Sequence, residues 1–303
     1  MEPERANPPA DATAEAPRTL LGGYLAVASR RAWLRAWVAA LLLLGPVRLV
    51  LWLAVLLRNR AACRAAERRA ARLAARLIGL RVAISGLEHI DPGERYVVAS
   101  LHEGFADGLA LLRLPLSLTA VARDELTTFP LLGGWLAHGR HLLIRPERPV
   151  AGARTLRRDA LAAIEAGDSV LFFPQGSILG IELAFRPGVF QLARRLGRPL
   201  LPVVVTGGHR AWEHPFSATL RFGQALSVIV LPPVPPHEAV PRRAEIERRM
   251  KELALASATP PRRFDPNRDG YWDDYRYEID PAFPDLAQRI ADHRRDVAAT
   301  DVR

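Results

Sequence analysis

The chain is short of cysteine and of lysine, and each shortage closes off a class of explanation. Cys63 is the only cysteine. No disulfide framework or cysteine metal cluster can form within one chain, and a reducing compartment is the default expectation. Lys251 is the only lysine, so the net charge of +10 rests on arginine. No G-x-G-x-x-G or G-x-x-x-x-G-K-[ST] is present, which removes nucleotide-phosphate loops of those types. The first twenty residues have no apolar run of the kind a signal peptide needs. They are acidic, polar and proline-containing, and residues 1–20 are expected to be a disordered tail.

What the chain has in quantity is apolar sequence, 49% of its 303 residues, enough for one sizeable domain with appendages. The most hydrophobic stretch, residues 36–57, is cut by Gly45-Pro46 and Arg48 and is flanked by arginines on both sides. A spanning helix needs roughly 20 apolar residues and a one-sided excess of positive charge. A mid-bilayer arginine costs roughly 2.5–3.5 kcal/mol on insertion scales. The expectation is therefore a two-helix hairpin dipping into one leaflet, turning at Gly45-Pro46, rather than a kinked span. In residues 58–80, Arg60, Arg64, Arg68, Arg72 and Arg76 recur every four residues among alanines and leucines. That period predicts a basic amphipathic helix on an anionic membrane surface. Nucleic acid is not expected as a partner, because this stretch has no aromatic residues for base stacking.

From Leu80 to about Pro232 strands and helices alternate. Strands are expected at Arg81–Ile84, Tyr96–Leu101, Ser117–Ala122, Leu142–Arg145, Ser169–Phe173, Leu201–Thr206 and Ser227–Leu231. Helices are expected at Phe105–Leu112, Pro130–His138, Ala151–Glu165 and Phe190–Leu196, with another near 242–257 after the proline-rich connector 232–241. The fold class that follows is α/β, a mixed central sheet flanked by helices with an N-terminal membrane-associated helical region, and chemistry at strand-to-helix turns. Four segments follow: the tail to residue 20, the membrane-associated hairpin and basic helix over 21–80, a domain over 81–257, and a turn-like C-terminal tail over 258–303.

His102 and Asp107 stand five apart after an apolar strand. On one straight helix the two side chains would point about 140° apart. The pair becomes useful when His102 lies in the turn and Asp107 in the first helical turn behind it, with Gly104 permitting the bend. A carboxylate on one imidazole nitrogen fixes the tautomer and leaves the other free to take a proton. The bare spacing is close to what chance supplies in a chain of this composition.

Order along the chain adds weight. His102-x-x-x-x-Asp107 comes first, followed by Arg123-Asp124-Glu125 with Gly139-Arg140-His141-Leu142-Leu143-Ile144-Arg145. Then come Phe173-Pro174-Gln175-Gly176-Ser177, Phe185-Arg186-Pro187-Gly188, and the proline-led strand Leu201-Pro202-Val203-Val204-Val205. Over roughly residues 80–232 this succession resembles the 1-acylglycerol-3-phosphate (lysophosphatidate) acyltransferase family. The resemblance implies an O-acyltransferase of phospholipid biosynthesis on the cytoplasmic face of a membrane. An acyl thioester, acyl-CoA or acyl-carrier protein, would be the donor and a lysolipid the acceptor. No metal or bound cofactor is implied. His102 and Asp107 would be catalytic, and Arg123, Arg145, Gln175, Gly176, Ser177 and Arg186 would contact substrate. The chain departs from the family pattern where Gln175 replaces a glutamate and Ile178 an arginine. A different lipid-like alcohol or glycolipid as acceptor, a catalytically idle membrane-binding homologue, and a thioesterase are the alternatives.

Other motifs carry less. His102-Glu103 is not a zinc helix, since Ala106 stands where a second histidine is required. His138 and His141 straddle Gly139 without an acidic ligand nearby in sequence. Ser177 is misplaced for a G-x-S-x-G elbow. Asp265, Asn267, Asp269, Gly270 and Asp273 fit the first half of a calcium loop, but Arg276 occupies the twelfth position, and an Asx-rich turn followed by packed aromatics is the expectation.

Overall fold

The computed structural model describes residues 17–300 apart from 58, 131, 146–148, 179, 214–216 and 267–277. Two short strands, β1 (Arg18–Leu20) and β2 (Leu25–Val27), form an antiparallel ribbon. They fall at and beyond the edge of the expected tail, which therefore ends earlier than residue 20. Helix α1 (Arg30–Leu42), started by the Ser29 side chain accepting from Ala32 N–H, passes through a π-helical turn at Leu43–Val47 into α2 (Arg48–Leu56). Together they make a 27-residue helix, Arg30–Leu56, long and apolar enough to cross a membrane.

This corrects the expected hairpin. Leu42, Val47 and Arg48 keep right-handed helical backbone, and the wider π turn absorbs Pro46 without a chain reversal. The chain reverses after Leu57, and α3 (Arg60–Leu77), capped by Asn59, packs back on α2.

Seven strands build the main sheet: β3 (Arg81–Ser85), β4 (Val97–Ser100), β5 (Leu118–Arg123), β6 (Leu142–Ile144), β7 (Ser169–Phe172), β8 (Leu200–Thr206) and β9 (Ala225–Val230). Their order is β3-β9-β8-β4-β7-β5-β6, parallel throughout except between β8 and β9. The sheet is thus mixed and flanked by α4 (Ala106–Leu111), α5 (Leu132–His138), α6 (Pro149–Glu165), α7 (Gly188–Leu196), the single turn α8 (Gly208–Ala211) and α9 (Arg243–Leu255). Every residue of β4 and β8 is buried, as expected of central strands covered on both faces, and that is why they read as unbroken apolar runs. One face packs Val98, Leu201, Val203 and Val205 against α4 and α3; the other packs Val97, Ala99 and Val204 against α7 and α9.

Two further corrections follow. The C-terminal region contains helix α10 (Pro284–Thr300), fastened by buried Glu182, which receives Arg263 and Arg289 and the Phe264 N–H. The calcium-loop-like segment 267–276 and the aromatics expected to pack after it lie outside the described residues. The arginine stripe of α3 is also divided. Arg64 is 2% exposed and donates to Asp168, Glu67, Thr119 and the Gly139 carbonyl, while Arg60 also reaches Asp168. Arg69, Arg72 and Arg76 are the exposed ones. Two guanidiniums read as lipid-facing instead pin α3 to the sheet.

Candidate active site

His102 follows the carboxyl end of β4, and the segments that meet it follow the carboxyl ends of neighbouring parallel strands. Phe173–Ser177 comes after β7, Gly207–Trp212 after β8, and Arg123 ends β5. Segments far apart in sequence therefore converge on one edge of the sheet, where open α/β sheets hold ligands.

Asp107 sits in the first turn of α4 and is fully buried. Its Oδ2 lies 2.7 Å from His102 Nδ1 and accepts the backbone N–H groups of Glu103 at 2.6 Å and Gly104 at 3.0 Å. The strand–turn–helix geometry thus brings the two side chains together. With Nδ1–H donated to the carboxylate, Nε2 carries the free lone pair. Phe173 stacks on the imidazole at 3.9 Å between ring centroids, so the ring is held in its plane on one face and by its partner at the edge. The His102 side chain is 16% exposed.

The residues expected to contact substrate divide. His102, Arg123, Gly176, Ser177 and Arg186 all line one cleft of about 920 Å³. Gly176 has φ +69°, and a Cβ there would stand 3.2 Å from Arg186 Nε, so glycine allows the guanidinium to lie across the turn. Arg123 pairs with Glu125 at 2.8 Å. Arg145 does not line the cleft; it is 63% exposed and donates to Asp124. Gln175 is buried and occupied by backbone: Oε1 accepts the His102 N–H at 3.1 Å and Nε2 donates to the Gly180 carbonyl at 2.8 Å. Its visible task is to hold the turn that carries His102.

Sequence reasoning missed the clamp from Gly207 to Trp212. Glu103 Oε2 accepts the Gly207 N–H at 2.7 Å and lies 2.9 Å from His209 Nδ1. Burial pushes the Glu103 carboxyl above its ordinary range, against the opposing pull of His209. Trp212 accepts the Phe105 N–H through its carbonyl and packs edge-on against the Phe105 ring. The Gly207-Gly208 pair directly after an apolar strand was the available signal.

One arm of the cleft is apolar, lined by Leu20, Leu25, Leu44, Leu51 and Phe129 among others, and the long N-terminal helix forms part of its wall. The His138 side chain lies outside the described residues, and His141 is engaged in the protein interior. His141 Nδ1 accepts the Ala120 N–H at 3.0 Å and Nε2 faces Glu67 at 3.2 Å. Among the described residues no group of three or more histidine, cysteine or acidic side chains is placed to hold a metal.

Residues 81–206, from the first residue of β3 to the last of β8, match the family model described as Acyltransferase. The chain is 29% identical over 162 residues to a 1-acyl-sn-glycerol-3-phosphate acyltransferase of Limnanthes alba, covering 52% of this chain and 56% of that protein. It is 30% identical over 173 residues to the human 1-acyl-sn-glycerol-3-phosphate acyltransferase alpha, covering 54% and 59%. The matches thus span a little over half the length of these relatives. The crystal structure of the 1-acyl-sn-glycerophosphate acyltransferase PlsC from Thermotoga maritima superposes with a TM-score of 0.61 at 19% identity, over 75% of this chain and 96% of that one, and shares the fold. Residues 81–206 thus match the acyltransferase family model, and about half of the chain is similar to 1-acyl-sn-glycerol-3-phosphate acyltransferases.

Proposed function

We propose that the protein transfers a fatty acyl group from an acyl thioester to the hydroxyl of a lysophospholipid, 1-acylglycerol-3-phosphate, at the cytoplasmic face of a membrane. The observation that carries this reading is the His102–Asp107 pair opening onto a cleft with an apolar arm walled by a membrane-length helix. The names of the relatives support the same acceptor.

His102 Nε2 takes the proton of the acceptor hydroxyl as its oxygen attacks the thioester carbonyl. Asp107 holds the ring and stabilises the imidazolium that forms. The tetrahedral centre collapses with cleavage of the carbon–sulfur bond, and the imidazolium returns its proton to the leaving thiolate. The reaction is direct transfer, with no acyl-enzyme and no cofactor. The acyl chain occupies the apolar arm. Arg186 and Arg123, which line the cleft, grip the acceptor's phosphate by charge-assisted hydrogen bonds. Gly176 and Ser177 form the turn beneath it, Gln175 positions that turn, and Arg145 makes at most an outer contribution from the rim.

The N-terminal helix turns Leu34, Val38, Leu41, Leu49, Trp52, Leu53 and Leu56 outward, a face suited to lipid. Arg69, Arg72 and Arg76 add exposed positive charge for an anionic surface.

The test is lipid analysis after incubating the purified full-length protein with acyl-CoA, or acyl-carrier protein, and a panel of lysophosphatidate, other lysolipids, a glycolipid and water alone. Phosphatidate as the main product is expected. Transfer only to another acceptor overturns the acceptor assignment, free fatty acid alone makes the protein a thioesterase, and no product at all overturns the activity.

A further inference from the structure

Arg48 stands in the middle of apolar sequence and yet faces the cleft. It is the first residue of α2, directly after the π turn that contains Pro46, and it lines the same cleft as His102 together with Leu44, Val47 and Leu51. Arg48 is exposed, as Leu49, Trp52 and Leu53 are, but its guanidinium lies beside Gly134 of α5 at the cleft. Gly134 of α5 makes the room: a Cβ there would stand 3.3 Å from Arg48 Nε and 3.4 Å from Cζ. Among the described residues Arg48 has no ion pair. The two carboxylates that line the cleft are engaged elsewhere, Glu67 with Arg64 and Glu125 with Arg123.

A charge placed in a membrane-length apolar segment is costly unless it faces the protein interior and meets a counter-charge. Arg48 lines the cleft beside Gly134, and among the described residues no carboxylate pairs with it. By the helix rise of roughly 1.5 Å per residue it lies about 12 Å from the Leu56 end, within reach of lipid head groups entering from the membrane side. We propose that Arg48 binds the phosphate monoester head group of the lipid acceptor as it passes from the bilayer into the cleft. This rests on the acyltransferase reading above and adds to it an anion-binding residue contributed by the membrane-associated helix. It also gives a reason for an arginine at a position where the apolar pattern calls for leucine.

The same chemistry could come from the phosphate of the acceptor, from bulk anionic lipid, or from the phosphates of the donor, and one set of variants separates them. Full-length wild type, Arg48→Gln, Arg48→Lys and the control Arg31→Gln, an exposed arginine on the same long helix, are assayed in neutral detergent micelles. For Arg48→Gln the KM for lysophosphatidate should rise about 10–100-fold, the loss expected of a charged hydrogen bond. The KM for acyl-CoA should stay within about twofold, Arg48→Lys should give an intermediate rise, and Arg31→Gln none. Binding of lysophosphatidate measured by calorimetry without donor should weaken in parallel, while binding of the uncharged monoacylglycerol should not. That binding measurement needs no turnover, so it still decides the role of Arg48 if the protein proves to catalyse something else. An unchanged affinity for lysophosphatidate overturns the proposal. So does a rise confined to the KM of acyl-CoA, or an effect seen only as weaker attachment to phosphatidate-containing vesicles.

Discussion

Gly208 lies so close to Asp107 that a Cβ on it would fall 1.9 Å from Asp107 Oδ1. No rotamer change in the glycine's neighbour is available without disturbing the other oxygen, which already receives His102, Glu103 and Gly104. Gly208→Ala should therefore displace Asp107 and tilt the His102 ring. Misplacement of a catalytic group by about 1 Å can cost on the order of 100-fold. The expected outcome is a fall of that size in kcat with KM for both substrates changed less than threefold. Near-wild-type turnover would mean that the α8 turn yields without moving the pair.

His102→Ala should abolish acyl transfer, since general-base catalysis typically contributes about 10²–10⁴-fold. Asp107→Asn should be nearly as damaging. An asparagine that turns its oxygen to the two backbone donors can keep them, but its neutral side chain stabilises the imidazolium poorly. Both variants should still associate with phospholipid vesicles, because neither residue touches the N-terminal helix face that points outward. Retention of more than about a tenth of wild-type turnover by His102→Ala would rule out the assigned base.

The central strands β4, β7 and β8 were legible because strands buried on both faces appear as apolar runs between turn residues, and β9 because its buried residues alternate. The His102–Asp107 geometry was legible because only a turn followed by a helix lets that spacing close. Other features depend on partners far away in the chain. Arg60 and Arg64 share the period of Arg72 and Arg76, yet their carboxylate, Asp168, arrives on the loop before β7, so periodicity alone could not separate anchoring from exposed arginines. Pro46 reads as a breaker, but a π turn leaves its missing N–H without consequence. Strands β1 and β2 have three residues each, too few for an alternation to register. Gln175 could be placed in the site by its motif, while its commitment to His102 N–H and Gly180 carbonyl required coordinates.

That commitment sets the outcome of Gln175→Glu. One carboxylate oxygen can replace Oε1 and accept the His102 N–H. The other would face the Gly180 carbonyl across about the same 2.8 Å, acceptor against acceptor. A buried group left without its partner costs roughly 1–3 kcal/mol. The variant should lose melting temperature and at least about tenfold in kcat, with little change in KM for lysophosphatidate. A gain in activity, or a selective change in acceptor KM, would show that Gln175 reaches the substrate after all.

Acid should destabilise the fold through His141. Burial pushes its imidazole below the ordinary value of 6.5, against the opposing influence of Glu67 and with the help of Arg64. The unfolded chain takes up a proton near pH 6.5 that the folded chain accepts only at lower pH. Stability from this group is therefore complete above about pH 6.5 and declines as pH falls toward the folded value. Asp168 adds the same sign at lower pH: burial pushes its carboxyl up, but Arg64, Thr119 and Arg60 hold it below 3.8. Denaturant midpoints measured from pH 7.5 to 5 should fall steeply in wild type and less steeply in His141→Gln. Identical slopes in the two proteins would assign the acid sensitivity elsewhere.

Two arginines of α3 that share one period should differ sharply on removal. Arg64 is buried with Asp168 and Glu67, and its fork also holds Thr119 and the Gly139 carbonyl. Replacing it by leucine leaves two carboxylates buried without their principal cation, and breaking such a cluster from one side costs about 3–5 kcal/mol. Arg60, about a quarter exposed, offsets only part of this, because it reaches Asp168 and not Glu67. Arg72 is exposed and pairs with no carboxylate among the described residues, and Arg72→Leu should change stability by less than about 0.5 kcal/mol. The same comparison separates anchoring from membrane attraction. Arg72→Leu, not Arg64→Leu, should weaken attachment of the folded protein to anionic vesicles, by about 1 kcal/mol for one arginine near the surface. Equal loss of stability in both variants would mean that the division of the stripe is wrong.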